Sequence, residues 1–409
     1  MIPMPESKPE STHLEASLDP RFELRYDPHN YRRVIAGKDV IVHCHHYNAR
    51  VQRTLEGASV IDGKAIVRAA AETVFAEQIA AALREGDDAA TKRSVAERLY
   101  ARLGFGRIDL AELGEGRARA SASHFVEGWV AGFGTSDRRV CTFTEGYIQA
   151  AAWATRAELV HVHERECMAR GDAACVFELD ATRTEAIAGN HKRPLEFVAK
   201  TGGDYLHSTT VDEAKIIDAL VAMPIQGDAE GLIPAFSVYL ANIPADFYNL
   251  ACIRFVEAMT EKRREKPARR MLIADGEACA MNTFRGIMNS VEWEALVAPM
   301  IHEPRDNIFA LVAISNALGW GNWHITDHPG PAAIGFESLN GYEAIGYAEV
   351  RGRASDPTCL MLTGVAAGLL ELVYGKGTIE ERIGSYTAHE GDCIATGQPA
   401  CQFAVERNA

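Results

Sequence analysis

The chain has no apolar run of the ~18 residues that a membrane-crossing helix needs, so no membrane span is expected. It lacks a Gly-x4-Gly-Lys-Ser/Thr phosphate loop, and its Gly104-Phe-Gly106 turn lacks the third glycine and the preceding strand of a dinucleotide fingerprint. ATPase, flavin and nicotinamide chemistry therefore have no support. Positive charge is also short: 42 basic against 56 acidic residues leave a net charge of −14, which argues against nucleic acid or an anionic membrane as partner. The first residues, Met1-Ile-Pro-Met-Pro-Glu-Ser, have no basic-then-apolar signal pattern, and a cytoplasmic location is the expectation. Cysteine is sparse, and its count of nine is odd, so a disulfide scaffold is not expected.

What is present is ordinary in bulk and unusual in pattern. Hydrophobic residues make up 47% and charged residues 24% of 409, enough chain for two domains with cores of their own. The cysteines cluster. Cys141, Cys167 and Cys175 in the first half are answered in the same order by Cys359, Cys393 and Cys401. Cys44, Cys252 and Cys279 stand alone and read as small buried hydrophobes. Both His163 to Phe177 and His389 to Phe403 follow His-Glu-x-x-Cys-x-x-x-Gly-x-x-x-Cys-x-Phe with every spacing intact. Leu318-Gly-Trp-Gly321 likewise answers Leu103-Gly-Phe-Gly106. The expectation is a tandem duplication of one mixed unit.

Local patterns fill in that unit. Lys38 to His43 reads as a strand, the residues after Cys44 as a helix, and 63 to 103 as helices joined near Gly86. Arg107 to Leu113 and Arg117 to Phe125 alternate as strands of an antiparallel sheet would. Cys141 to Ala157 suits a helix, and Glu158 to His163 and Cys175 to Leu179 suit strands. Residues 1–20 are expected as a loose leader, 21–180 as a first domain, 181–205 as a linker and 206–409 as a second domain.

Cys167 and Cys175 flank a glycine-containing loop that can turn both sulfurs toward one ion. Glu164 can add an oxygen, and Cys141 can close a set of four. Three soft sulfurs favour zinc over magnesium or calcium. The spacing also fits a pair of core cysteines beside a turn, with Glu164 solvated.

These residues resemble the 4-vinyl reductase domain, found in the aromatic-sensing modules of phenol- and xylene-responsive bacterial activators. The resemblance spans roughly residues 38 to 180 and, more loosely, 206 to 407. It implies helices packed on an antiparallel sheet, a structural zinc on Cys141, Glu164, Cys167 and Cys175, and paired domains. The positions corresponding in the second half are Cys359, Glu390, Cys393 and Cys401. The interval from Cys359 to Cys393 is eight residues longer than that from Cys141 to Cys167, which places Cys359 in question as a ligand. A tandem chain can supply the pairing as an intrachain pseudodimer, with or without a further homodimer. The ATPase and helix-turn-helix that accompany the domain in those activators are not found, which leaves binding of a small apolar or aromatic molecule.

One feature lies outside the motif. His43-Cys44-His45-His46 packs three imidazoles into four residues of the first half and has no counterpart in the second. With His124, His161, His163 or Glu127 as further partners, imidazoles suit non-haem iron, copper or catalytic zinc, and an imidazole can also serve as a general base. They also suit a hydrogen-bonded strand end. His324 and His328 form a weaker second set. Two readings follow: a zinc-braced binding protein for a small molecule, or a metal-dependent enzyme of small-molecule or secondary metabolism. In the second, His43, His45 and His46 are catalytic, with a redox metal such as iron.

Overall fold

The computed structural model describes residues 19–180, 183–187, 189–190, 192, 203–327 and 330–408. The expected leader lies outside them apart from Asp19 and Pro20, as does more than half of the expected linker over 181–205. The mixed class expected from the sequence, helices packed on antiparallel sheets, is the class observed. Among the described residues no helix is long and apolar enough to cross a membrane.

The first half opens with β1 (Arg25–Asp27), β2 (Arg32–Ile35) and β3 (Lys38–Cys44), then α1 (His45–Gly57), α2 (Gly63–Ala82) and α3 (Ala89–Arg102). It continues with β4 (Gly106–Asp109), β5 (Arg117–Ser123), α4 (His124–Phe133), α5 (Thr142–Arg156), β6 (His161–Glu166) and β7 (Cys175–Asp180). The second half runs α6 (Glu213–Ala222), β8 (Ile233–Ala235), β9 (Val238–Pro244), α7 (Ala245–Glu261), α8 (Glu265–Met288), α9 (Val291–Leu296) and α10 (Pro304–Ala317). It closes with β10 (Trp323–Ile325), β11 (Ala333–Ser338), α11 (Tyr342–Arg351), α12 (Leu360–Tyr374), α13 (Ile379–Arg382), β12 (Tyr386–Glu390) and β13 (Cys401–Arg407).

Each half holds a four-stranded antiparallel sheet, in the orders β4-β5-β7-β6 and β10-β11-β13-β12. A third sheet, β1-β2-β3-β9-β8, takes strands from both halves and joins them where β3 pairs antiparallel with β9, His43 opposite Ala241. The join is reciprocal. Leu103 of the first half accepts the Asn242 backbone N–H at 2.8 Å, and Leu318 of the second accepts that of Val42 at 3.0 Å. The two Leu-Gly-aromatic-Gly turns seen in the sequence are thus each docked on the other half's central strand.

One boundary differs from expectation. The strand read through Phe125 stops at Ser123, whose hydroxyl accepts the Val126 backbone N–H and starts α4 at His124. Capping outweighs the alternating pattern there.

Small residues let the helices of each half cross closely. A Cβ on Gly146 of α5 would lie 2.4 Å from the Arg68 carbonyl oxygen of α2, and one on Gly364 of α12 would lie 1.9 Å from that of Ile273 in α8. Between the halves, Arg50 of α1 donates to Asp275 of α8 at 2.9 Å. Burial nevertheless pushes the Asp275 carboxyl up to about 6.

Two expectations follow. Gly364→Ala forces backbones apart and should cost about 1–3 kcal/mol in thermal or urea unfolding. Gly132→Ala, whose Cβ meets nothing within 4 Å, should be neutral or stabilising, and equal losses in the two variants would refute the close-crossing account. For Asp275 the unfolded carboxyl ionises near 3.8 and the folded one near 6, so the folded chain keeps a proton through that window. Stability should therefore fall as pH rises from about 4 to 6, by at most about 3 kcal/mol. Asp275→Asn should remove that slope; parallel unfolding profiles for the variant and the native chain would contradict it.

Candidate metal centres

The first cysteine group is assembled from three elements. Cys141 caps the start of α5, Glu164 lies on β6, Cys167 follows the end of β6, and Cys175 opens β7. Gly171, at φ +96°, closes the turn between the two strands and brings Cys175 back beside Cys167. The four ligand atoms lie within 4.8 Å of one another and all four residues are buried. The Sγ atoms of Cys141 and Cys175 are 3.5 Å apart. Glu164 Oε2 accepts the Cys141 backbone N–H at 2.9 Å, while its buried Oε1 has no hydrogen-bond partner.

The second group repeats the arrangement. Cys359, Glu390, Cys393 and Cys401 also hold their ligand atoms within 4.8 Å, with only Glu390 half-buried. Cys359 Sγ is 3.5 Å from Cys401 Sγ, which is 4.0 Å from Cys393 Sγ. Glu390 Oε2 accepts the Cys359 backbone N–H at 2.7 Å, and its Oε1 is again without a partner. The longer interval that placed Cys359 in question does not displace it. Helices α5 and α12 are both 15 residues long, so the added residues fall after α12, around α13, and the end carrying Cys359 keeps its place.

Electrostatics show what these groups tolerate. Burial, reinforced by the Cys167 thiolate, pushes the Glu164 carboxyl up to about 8. Hydrogen bonding to Cys167 and Cys175 also raises the Cys141 thiol. Cys167 is lowered, because the thiols of Cys141 and Cys175 donate to it. Cys393 and Glu390 show the same division. One negative charge is shared and the other groups are held neutral, as expected of a buried cluster of acidic groups. All nine cysteines are free thiols, and sulfurs 3.5–4.0 Å apart match the ~3.8 Å between thiolates on a tetrahedral ion with ~2.3 Å bonds. Each group can hold a metal ion.

The histidines divide into two sets. His43 is buried with its ring 4.7 Å from Trp320, 4.4 Å from Tyr47 and 5.3 Å from Tyr248. His45 instead meets His46 at 4.0 Å and His124 at 6.2 Å. Burial lowers both His43 and His124 to about 3. His163 pairs with Asp180 at 3.1 Å, His161 is exposed on the same strand β6, and His324 stacks on Tyr205 at 3.9 Å. His328 lies outside the described residues. Trp320 is core, donating its indole N–H to the Val42 carbonyl at 2.9 Å.

A cleft of about 320 Å³ beside the second group was not foreseen. Cys252, Ile253 and Val256 of α7, Glu343 and Tyr347 of α11, and Leu360 of α12 line it. Glu343 is buried, accepts the backbone N–H groups of Met361 and Leu362, and is pushed up to about 8 by that burial. One sequence signal pointed this way. The dipeptide Tyr-Asn recurs at Tyr47-Asn48 and Tyr248-Asn249, early in α1 and α7. Asn48 reaches His124 and Asn249 reaches the Tyr342 carbonyl, the first residues of α4 and α11.

No curated protein matches the chain. Among solved structures, the crystal structure of the phenol-responsive sensory domain of the transcription activator PoxR with phenol is similar at 14% sequence identity. That likeness covers 38% of this chain and 84% of that one, with a TM-score of 0.33. Residues 128–181, which contain all four residues of the first cysteine group, match the family model of the 4-vinyl reductase domain.

Proposed function

We propose that the chain is a zinc-braced binding protein for a small apolar or aromatic molecule. In this reading residues 21–180 and 206–409 are two units of the 4-vinyl reductase type, paired within the chain as a pseudodimer through β3 and β9. The observation that carries it is the donor set: three thiols and one carboxylate, converged and buried, in each of two places. Zinc on Cys141, Glu164, Cys167 and Cys175, and on Cys359, Glu390, Cys393 and Cys401, supplies the positive charge these groups call for and takes up the unpartnered Glu164 and Glu390 oxygens. With four protein ligands neither site keeps an open position, so the ion braces rather than reacts.

The brace and the cleft are connected. Thr358 and Leu360, on either side of Cys359, both line the cleft, and Glu343 is held by the next two backbone N–H groups. Fixing Cys359 therefore fixes one wall of the cleft. Its volume falls within the ~300–1,000 Å³ range of small-molecule sites, with an apolar lining and few polar groups. Ile253, Val256, Tyr347 and Leu360 suit an aromatic body, and Glu343 and Asn249 suit one hydroxyl or amide.

Elemental analysis of the purified full chain should find about two zinc ions. Cys167→Ala and Cys393→Ala should each lose one, and Cys167→Ala should lower stability by several kcal/mol, because structural zinc contributes directly to folding. Unchanged zinc content in either variant would exclude that site. For the cleft, Val256→Trp should weaken phenol or toluene binding at least tenfold in calorimetry while keeping both zinc ions. Equal binding by the filled and native chains would move the ligand site elsewhere.

A further inference from the structure

The imidazole set around His45 has the parts of a third metal site, independent of the cysteine groups. His45 and His46 are the first two residues of α1, and His124 is the first of α4. The two helix starts touch: a Cβ on Gly128 of α4 would lie 2.2 Å from the His45 carbonyl oxygen. Three side chains far apart in sequence are thereby delivered to one point. The corresponding first residues of α7 and α11 are Ala245, Asp246 and Tyr342, so the second half offers no imidazole there.

Two of the rings already have outer partners. His45 Nδ1 lies 3.2 Å from the Tyr239 carbonyl oxygen, and donating there leaves Nε2 with a free lone pair. His124 Nε2 lies 2.7 Å from the Asn48 amide, which also bonds the Tyr248 hydroxyl. His124 is completely buried, yet its Nδ1 has no hydrogen-bond partner. An unmet buried nitrogen is costly, and something must compensate. Turning the Asn48 amide over exchanges donor and acceptor without moving the ring. Oδ1 then accepts from His124 Nε2–H, the Tyr248 hydroxyl accepts from Nδ2, and His124 Nδ1 presents a lone pair. Metal binding would select both of these arrangements.

We propose that His45, His46 and His124 bind a borderline divalent ion such as iron, copper or zinc, with a fourth position left to solvent. Of the described residues, only the two cysteine groups already hold their ligand atoms within 4.8 Å. Imidazoles sharing one ion sit with ring centroids about 5 Å apart, given metal–nitrogen bonds of ~2.1 Å. The observed 4.0 and 6.2 Å lie on either side of that distance, and His46, only half-buried, has room to turn. His43 is not part of the site; its ring contacts are with Tyr47, Tyr248 and Trp320. Glu127, one turn along α4 from His124, is the nearest carboxylate on that helix face.

The test is a cobalt(II) titration of the full chain with its cysteine groups saturated by zinc. One further equivalent should bind, with the visible spectrum of nitrogen and oxygen ligation and no thiolate charge-transfer band. His46→Ala, at the half-buried position, and His45→Asn should each weaken it at least tenfold while the zinc content stays unchanged. No further equivalent, a thiolate band, or undiminished binding in both variants would overturn the proposal. Loss of zinc from Cys167→Ala with the cobalt equivalent retained would show the two kinds of site to be independent, as the proposal requires.

Discussion

Three thiols and one carboxyl share a space under 5 Å across at two places in this chain, and the surroundings admit only one negative charge at each. That constraint organises much of what lies around it. The same carboxylate that joins each group also caps a helix, since Glu164 and Glu390 accept the backbone N–H groups of Cys141 and Cys359. Sheet, hairpin turn and helix start are therefore tied at one point in each half. A divalent cation would stabilise all three together, and its loss would leave four ionisable groups to compete for one charge.

The cysteine groups were legible because their ligands come in a short, fixed spacing that a hairpin turn converts directly into proximity. Cys359 was the exception: interval length alone suggested displacement, whereas the extra residues leave from the far end of α12. Counting residues does not say which end of a helix absorbs an insertion. The α4 boundary was missed because alternation runs through Ser123 and only the serine cap ends it. The cleft was out of reach, since Val256, Glu343 and Leu360 come from three helices that no local pattern links. His124 was suspected as a partner of His45, but a separation of 79 residues cannot show contact; the α1–α4 crossing does.

The halves resemble each other in strand order and differ in chemistry. Where the first half begins α1 with His45-His46 and α4 with His124, the second begins α7 with Ala245-Asp246 and α11 with Tyr342. The second half has its lined cleft beside its metal group, while the same face of the first carries Arg53 stacked on Phe133. One scaffold thus presents different chemistry on its two sides.

The shared sheet also bears on how this chain avoids its own copies. Its two long central strands, β3 and β9, spend their edges on each other and on β2 and β8. What remains at the rims among the described residues is three residues of β1 and three of β8, the latter interrupted by Pro234. Short rims with a missing donor are poor templates for strand addition. Joining the halves edge to edge therefore leaves little from which sheet-to-sheet aggregation could start.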